Sequence, residues 1–244
     1  MIDLNKFQNT LDSIFEKNGA SRFLTVDVKD KLTVLADYML TENEKYNLTA
    51  IKNPAAIAAF HFLDSFLPAE LIPQGCRVAD VGCGAGFPSL PLAILRPDVT
   101  ITSIDSTEKK INFVNSAATI LELTNIKAMC ARAEDAARYP EMRESFDVAT
   151  ARAVSELRVL SELCIPLVKK GGIFIAMKGK NAETELATAQ NALSVFNMHL
   201  VRTQKTEIYL NEDKSLRINY VFEKLSSTPM KYPRNYSQIS KKPL

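Results

Sequence analysis

The stretch of sequence best suited to chemistry is a glycine-rich turn between a short apolar run and a helical pattern. Gly82, Gly84 and Gly86 alternate after the short predicted strand 78–81, and Phe87-Pro88 opens the helix. Glycine lets the backbone turn sharply and approach a ligand closely, and a helix N-terminus presents free amides. The turn predicts a nucleotide-type cofactor site. A purely structural turn stays open as an alternative, since Phe87 stands where the dinucleotide fingerprint has its third glycine.

A carboxylate at the end of the next apolar run supports the ligand interpretation. Residues 99–104 read as a second strand that ends in Asp105, 23 residues after the first glycine of the turn (105 − 82 = 23). A carboxylate at this place can accept hydrogen bonds from both ribose hydroxyls of an adenosine. Turn and carboxylate together do not distinguish NAD from S-adenosylmethionine.

The elements that must position these residues alternate between strand and helix. Five predicted strands alternate with helical patterns, except that a loop at 131–135 follows the third strand, and two further extended runs joined by 211–214 form a hairpin. The strands lie at 78–81, 99–104, 126–130, 146–151 and 173–177, and the extended runs at 200–210 and 216–224. Six parallel strands would suit a dinucleotide dehydrogenase. Five units and a hairpin favour an α/β fold with the Rossmann-like, seven-stranded sheet of S-adenosylmethionine methyltransferases, in which the last strand enters antiparallel.

The remaining sequence divides into segments before and after this core. Residues 1–66 show apolar residues at helical spacing and predict an N-terminal helical cap. We expect the methyltransferase core over 67–224 and a basic tail over 225–244. A chain of 244 residues with 46% hydrophobic composition can bury a sizeable core.

Composition narrows the function classes. The net charge of +2 is too small to indicate a nucleic-acid partner by itself. The start of the chain lacks the pattern of a signal peptide, and no apolar run is long enough to span a membrane. Four cysteines at 76, 83, 130 and 164 show no C-x-x-C spacing, so we expect reduced thiols and no metal. These features predict a cytoplasmic protein, and we expect a monomer.

The tail is basic and contains aromatic residues. It carries Lys231, Arg234, Lys241 and Lys242 without any acidic side chain. Such a segment is expected either to lie along a phosphate backbone or to be a solvated tail. In the first case, deleting 228–244 should weaken RNA binding and spare both cofactor affinity and the folded core, because the tail would add little apolar area.

Six motifs occur in an order that resembles one protein family over nearly the whole chain. Together they resemble the bacterial small-subunit ribosomal RNA methyltransferase G family, also called glucose-inhibited division protein B. The motifs are Asn47-Leu48-Thr49-Ala50-Ile51, His61-Phe62-Leu63-Asp64-Ser65, the glycine turn from Asp80 to Pro88, Arg132-Ala133-Glu134, Ala151-Arg152-Ala153, and Thr228-Pro229-Met230-Lys231-Tyr232-Pro233-Arg234.

The resemblance implies an activity and roles for particular residues. It implies that S-adenosyl-L-methionine is the cofactor and that the product is N7-methylguanine in the guanine 527 loop of 16S rRNA, free or in the small ribosomal subunit. The cofactor would be bound by the glycine turn, Asp105 and four further residues: Phe87 against the cofactor, Ala133 and Glu134 at its adenine, and Arg152 near the methyl-transfer end. RNA contacts are predicted for Asn47, His61, Lys178, Lys231 and Arg234.

The sequence departs from the family at two places. Ser89 stands where many members have glycine, which a position one turn into the helix should tolerate. The residues Asn235-Tyr236-Ser237-Gln238-Ile239 replace a Lys-Ala-Gly-Thr-Pro-like stretch.

The chemistry of N7 agrees with what the sequence lacks. Guanine N7 carries a free lone pair at neutral pH, so transfer needs an in-line approach and no general base. After the fourth strand, Ala151-Arg152-Ala153-Val154 stands where exocyclic-amine methyltransferases carry an Asn/Asp-Pro-Pro-aromatic motif. A small-molecule methyltransferase and a non-catalytic RNA-binding module are the alternatives.

Structural interpretations stay open for four of these side chains. Arg152 could form a salt bridge with Glu134 or Asp80 instead of contacting a ligand. Glu134 could be an acid that caps a helix N-terminus. Lys178 could be a solvated lysine at a strand end, and His61 an ordinary histidine between helix and sheet.

Overall fold

A seven-stranded mixed sheet forms the centre of the computed structural model, which describes residues 2–244. The strand order is β3-β2-β1-β4-β5-β7-β6. The first five strands are parallel, and β7 pairs antiparallel with both β5 and β6. The predicted α/β fold is confirmed. The strands are β1 Arg77–Val81, β2 Thr100–Asp105, β3 Ile126–Cys130, β4 Phe146–Arg152, β5 Val168–Lys178, β6 Met198–Leu210 and β7 Asp213–Lys224.

Helices cover both faces of the sheet, as a parallel sheet requires because both of its faces must be buried. A π-helical stretch, Ile57–Leu63, joins α3 to α4. The helices are α1 Leu4–Lys17, α2 Val26–Tyr46, α3 Pro54–Ala56, α4 Asp64–Phe66, α5 Ser89–Leu95, α6 Glu108–Ile120, α7 Ala133–Ala136, α8 Leu157–Cys164, α9 Ala182–Thr188, α10 Gln190–Val195 and α11 Tyr236–Lys241. Among these residues, no helix is long and apolar enough to cross a membrane.

The N-terminal helices share one hydrophobic core with α5 and α6. Within the cap, the rings of Phe7 and Phe62 meet edge-on with centroids 6.3 Å apart. Between the cap and α6, the Tyr38 ring stacks on Phe113 with centroids 5.3 Å apart. A second cluster, which contains residues of α7 to α11, fills the opposite face of the sheet. The cap is therefore a layer packed on the sheet's helices. The division at residues 66 and 224 stays a proposal about domain organisation.

Two predicted helices differ from the structure. The helix expected near 55–66 contains the π-helical stretch. No residue pattern in the sequence predicted the wider turn of this stretch. The helix expected over 183–196 is broken at Ala189 into α9 and α10. No glycine or proline lies at that break, and nothing in the local sequence explains it.

The C-terminal hairpin is tighter than predicted. Its turn is Asn211-Glu212, with Asn211 in the left-handed region at a φ of 53°. Because β7 runs opposite to β5, its first residues lie at the edge where β4 and β5 end, and Ile218 pairs with Lys178. The hairpin therefore brings β7 side chains to the edge of the sheet at which the glycine turn lies.

The tail packs onto the domain, so the expectation that it adds little apolar area is wrong. Tyr232 and Ile239 are buried, and the Tyr232 ring meets Phe196 edge-on at 5.1 Å. Arg234 donates to the fully buried carboxylate of Glu162 through Nε and Nη2, at 2.9 and 2.6 Å. Because the tail is basic, we expected it to be exposed, and the sequence did not predict this apolar packing.

A buried lysine ties the end of β7 to the tail. Lys224 is fully buried, and its Nζ donates to Glu144 Oε1 at 2.6 Å, to the Val168 carbonyl at 2.6 Å and to Thr228 Oγ1 at 2.7 Å. Burying an ammonium group is costly unless it is paired and fully hydrogen-bonded. These partners satisfy that requirement.

We predict that Lys224→Met lowers the free energy of unfolding by about 3 kcal/mol, because it leaves a carboxylate and buried carbonyls without their partner. The matched control is Lys214→Met. Lys214 also pairs with a glutamate at 2.7 Å but is exposed, so its loss should cost about 1 kcal/mol or less. Urea unfolding of both variants measures the difference. Equal losses would contradict a structural role for the Lys224 network.

Candidate active site

Two cavities lie side by side at the carboxyl-terminal edge of the parallel strands. The Asp105 cavity, of about 250 Å³, lies between the ends of β1, β2 and β3, and it includes Gly82, Ala133 and Glu134 in its wall. The Arg152 cavity, of about 610 Å³, lies between the cap, β4, β5 and β7. Val154 and Ser155 line both cavities. Four predicted cofactor residues therefore meet in one cavity, and Arg152 lines its neighbour.

Of the glycine turn, Gly82 lines the Asp105 cavity, whereas Gly84 and Gly86 line neither cavity. Gly82 has a φ of +70°, and a Cβ on it would collide with the side chain of Val154. Gly86 has a φ of +81°, and a Cβ there would collide with Leu90 at the start of α5. Both positions therefore need glycine for space as well as for conformation. Gly84 has a φ of +57° and open space beside it, so backbone conformation alone favours glycine there.

Asp105 holds the turn that it faces. The Gly84 amide donates to Oδ2 at 3.0 Å, and the Thr107 amide donates to Oδ1 at 2.9 Å. A carboxylate offers about four lone-pair positions, so each oxygen can accept one further bond. Since Asp105 also lines the cavity, its carboxylate can support the turn and bind a pair of hydroxyls.

Glu134 is the observation that most directly indicates a ligand in the Asp105 cavity. It lies in the first turn of α7 and is only 6% exposed, yet no hydrogen bond or ion pair to its carboxylate is found among residues 2–244. The two carboxylate oxygens are not fully enclosed, so they are open to the cavity that Glu134 lines. A donor such as an exocyclic amine could therefore hydrogen-bond to this carboxylate.

Phe87 lies behind the cavities. It is 5% exposed, and its ring stacks on His61 with centroids 4.3 Å apart and planes within 9°. The Arg152 guanidinium also lies over the Phe87 ring, 5.6 Å from its centroid. The ring therefore supports two side chains of the neighbouring cavity, and its predicted contact with a cofactor stays a prediction.

The wall of the Arg152 cavity is organised by one buried carboxylate. Asp64 accepts from Arg152 Nη1 at 3.2 Å, and it forms an ion pair with Arg217, whose Nε lies 3.1 Å from Oδ1. Arg152 Nη1 also donates to the Phe60 carbonyl at 2.9 Å. We call Asp64, Arg152 and Arg217 the Asp64 cluster. It joins α4 of the cap to β4 and β7.

The partner of Arg152 differs from both predicted alternatives, Glu134 and Asp80. Burial lowers the pKa of Arg152, and the charge of Asp64 acts in the opposite direction. An arginine nonetheless stays charged in proteins. Its Nε and Nη2 have no hydrogen-bond partner among residues 2–244, and the side chain lines the cavity. These two donors are therefore available to a bound group.

Lys178 is buried, so the interpretation as a solvated lysine is wrong. Its side chain is 7% exposed, and Nζ contacts Glu185 Oε2 at 2.7 Å and the Ser155 carbonyl at 2.6 Å. The bond to Ser155 ties the loop between the cavities to the end of β5. Whether Lys178 also contacts RNA stays a prediction.

His61 is a neutral side chain in the wall of the same cavity. Burial lowers its pKa to about 3, and the charge of Arg152 acts in the same direction. Its Nε2 shares a hydrogen bond with Thr49 Oγ1 at 2.9 Å, while its buried Nδ1 has no partner among the described residues. It lies between helix and sheet as the structural interpretation expected, and it also faces the cavity.

Sequence reasoning missed Phe60 and Arg217 as parts of the site. The π-helical stretch, together with the turn that follows it, brings Phe60, His61 and Asp64 to the same cavity. Arg217 lies over the Phe60 ring at 5.4 Å. The motif that contains His61 and Asp64 could have indicated that this helical segment of the cap contributes to the site. No motif indicated Arg217, because its position depends on the register of the antiparallel hairpin.

Three predicted RNA contacts lie outside both cavities. Asn47 ends α2 in the left-handed region, with a φ of 51°. Lys231 is exposed, with Nζ 5.2 Å from the centroid of the Tyr232 ring. Arg234 is a structural anchor through Glu162. RNA binding by these residues stays a prediction. Residues 2–244 contain no group of three His, Cys, Asp or Glu side chains that could hold a metal ion.

Asp80 lies beneath the glycine turn, fully enclosed. It accepts from Ser89 Oγ at 2.6 Å and from Thr150 Oγ1 at 3.1 Å. Burial raises the pKa of Asp80 to about 6, although both hydroxyls and the charge of Arg152 oppose this shift. Ser89, which departs from the family's glycine, thus has a partner of its own.

We predict that Asp80→Asn changes how stability depends on pH. Below about pH 4 Asp80 is protonated in both the folded and unfolded states. Between pH 4 and 6 the unfolded chain releases the proton while the folded chain retains it, so wild-type stability falls as pH rises. The variant lacks this loss and should gain about 3 kcal/mol relative to wild type between pH 4 and 7.

Unfolding curves at several pH values measure this gain. The control is Asp98→Asn, because Arg96 holds the pKa of Asp98 at about 2. The stability of Asp98→Asn relative to wild type should decrease as pH rises, and this change should occur below pH 4. A constant difference between Asp80→Asn and wild type from pH 4 to 7 would contradict the raised pKa.

Solved structures share the architecture of this protein at low sequence identity. M. jannaschii TYW2 in complex with AdoMet aligns with a TM-score of 0.54 and 14% identity, covering 68% of this chain and 76% of that chain. The ribosomal protein L11 methylase from Lactobacillus delbrueckii subsp. bulgaricus aligns with a TM-score of 0.52 and 16% identity, covering 68% and 79%. At this identity, the similarity establishes the fold alone.

Sequence comparisons establish the family. The family model described as rRNA small subunit methyltransferase G matches residues 28–214. Ribosomal RNA small subunit methyltransferase G from Clostridium perfringens is 44% identical over 221 residues, which cover 89% of this chain and 91% of that protein. The protein of the same name from Lactobacillus acidophilus is 41% identical over 240 residues, covering 97% and 99%. This chain therefore belongs to the rRNA small subunit methyltransferase G family.

Proposed function

We propose that the protein methylates N7 of guanine 527 in 16S rRNA, by positioning its substrates and without a general base. Its family makes it an S-adenosylmethionine-dependent methyltransferase of small-subunit ribosomal RNA. The site of methylation and the roles of individual residues are the proposal. The observation that carries it is the pair of cavities that meet at Val154 and Ser155.

The Asp105 cavity is the proposed cofactor site. When bound, S-adenosylmethionine supplies an electrophilic methyl group on its sulfonium. Asp105 would accept from the ribose hydroxyls, and the unpartnered carboxylate of Glu134 would accept from the adenine amine. The glycine turn leaves room for the backbone to approach the ligand, and the nearby Arg152 offers Nε and Nη2 to a carboxylate.

The Arg152 cavity is the proposed site of the target guanine. Its position beside the Asp105 cavity would let the base approach the methyl group across the loop at Val154 and Ser155. Arg152, Arg217 and Lys178 face two carboxylates, Asp64 and Glu185, so the wall has an excess of positive charge. This excess suits phosphate oxygens or the guanine O6, both of which accept hydrogen bonds.

The two carboxylates in this wall are already engaged, and His61 is a weak base because burial lowers its pKa to about 3. Asp64 is paired with two arginines, and Glu185 Oε2 is paired with Lys178 Nζ and accepts from the Leu157 amide at 2.9 Å. Since N7 carries its lone pair at neutral pH, no proton has to leave before attack. The side chains therefore contribute by orienting the base toward the methyl group, which is proximity catalysis.

The form of the RNA follows from the position of N7. This atom lies on the deep-groove edge of the base, which an A-form helix hides. The target guanine must therefore lie in a loop or be unstacked to enter a cavity. A ribosomal substrate would place the reaction in the cytoplasm, and a monomer would suffice, because both cavities are formed within one chain.

We predict that the purified protein transfers radiolabelled methyl groups to small-subunit particles from a strain that lacks its gene, and that digestion yields N7-methylguanosine. Particles from the parent strain, already modified, are the control and should accept little label. Label on another base or another atom would contradict the proposed chemistry. Label on free metabolites, with none on the particles, would instead favour a small-molecule methyltransferase.

A further inference from the structure

The C-terminal tail leads back to the cavity proposed for the cofactor. After Arg234 the chain forms α11, whose N-cap Asn235 accepts from the Gln238 amide at 3.0 Å. Tyr236, the first residue of α11, lines the Asp105 cavity. It is 44% exposed and lies on the open side of the cavity rather than in the core.

The tail is fixed immediately before Tyr236 by several independent contacts. Arg234 forms its paired hydrogen bonds with the buried Glu162 of α8. Arg138 Nη2 donates to the Pro233 carbonyl at 2.9 Å, and Arg143 Nη1 donates to the Tyr232 carbonyl at 2.8 Å. Paired arginine–carboxylate bonds are among the strongest in proteins. The backbone that carries Tyr236 is therefore set in place by the folded core.

The tail is also fixed after Tyr236. Ile239 of α11 is fully buried among residues of the second hydrophobic cluster. Tyr236 thus lies between two anchors, Arg234 and Ile239. An aromatic ring held this way faces a ligand at low cost, since little conformational freedom remains to be lost on binding.

The surroundings of the ring suit a nucleoside. The Arg132 guanidinium lies 5.8 Å from the centroid of the Tyr236 ring, and Arg132 directly precedes Ala133 and Glu134 in the same cavity wall. A planar guanidinium and an aromatic ring both offer flat faces to a base. Tyr236, Arg132 and the unpartnered Glu134 carboxylate therefore line one cavity.

We propose that Tyr236 is a cofactor-binding residue that covers the adenine of S-adenosylmethionine, so that the C-terminal tail completes the cofactor site. This inference rests on the proposed function only in taking the Asp105 cavity as the cofactor site. It reverses the expectation that removing the tail spares cofactor affinity. It also gives a role to residues 235–239, where the sequence departs from its family.

The first test measures binding of S-adenosylmethionine and of 5′-methylthioadenosine to the full chain by calorimetry, without RNA. The second ligand keeps the nucleoside but lacks the amino-acid end. Tyr236→Ala should weaken both about tenfold, because a base–aromatic contact is lost. Tyr236→Phe should remain within about twofold of wild type. The control is Tyr209→Ala, since Tyr209 is a similarly exposed tyrosine on the hairpin, outside both cavities.

The second test does not require the alanine variant to fold. The chain contains no tryptophan, so Tyr236→Trp creates a single fluorescent reporter. Its emission should change saturably when 5′-methylthioadenosine is added. The same titration of Tyr209→Trp should leave the emission unchanged. Thermal unfolding of each variant confirms that the tail and core remain folded.

The outcomes separate this inference from the proposed function. Tyr236→Ala affinity within twofold of wild type for both ligands, or Tyr236→Trp emission that does not change at saturating ligand, would overturn the role of Tyr236. Loss of affinity for both ligands would support it even if the reaction product proved not to be N7-methylguanosine. Absence of any binding to the wild-type protein would overturn both proposals.

Discussion

The Asp64 cluster is the interaction on which the active-site arrangement depends. One carboxylate of the helical cap, that of Asp64, forms ion pairs with Arg152 of β4 and with Arg217 of β7. Two arginine side chains, 14% and 24% exposed, would repel each other without that carboxylate. Removing one partner of such a buried group is costly because the others lose their compensation. The cluster therefore couples the position of the cap to that of both strands, and all three of its residues line the Arg152 cavity.

The antiparallel hairpin makes this cluster possible. In a fully parallel sheet, the first residues of the strand after β5 would lie at the opposite edge, far from the glycine turn. Because β7 runs backward, Arg217 arrives where β4 and β5 end, and the same strand finishes at Lys224, which anchors the tail. The tail then returns through Arg234 to place Tyr236 at the other cavity. One reversal of chain direction thus contributes residues to both cavities.

The sequence was most informative where function depends on local structure. A strand, a glycine turn and a helix are contiguous, so Gly82 and Asp105 could be placed at one edge from spacing alone. Motif resemblance added Glu134 and Arg152, which line the two cavities. Arg217 and Tyr236 could not be found this way, because hairpin register and long-range anchors decide where they lie. The same limit explains Lys178 and Arg234, whose charges suggested contact with solvent or RNA. In the structure Lys178 pairs with Glu185 and Arg234 pairs with Glu162, and no sequence motif indicated either partner.

The most direct test of the account is a double-mutant cycle on single-turnover methyl transfer, using Asp64→Asn, Arg152→Ala and the double variant with unmodified small-subunit particles. Residues that act as one unit give strongly non-additive losses. We expect the double variant to be no slower than the slower single variant, with thermal unfolding confirming that all three remain folded. Losses that simply add, or an Asp64→Asn variant as fast as wild type, would contradict the claim that the Asp64 cluster positions the groups for transfer.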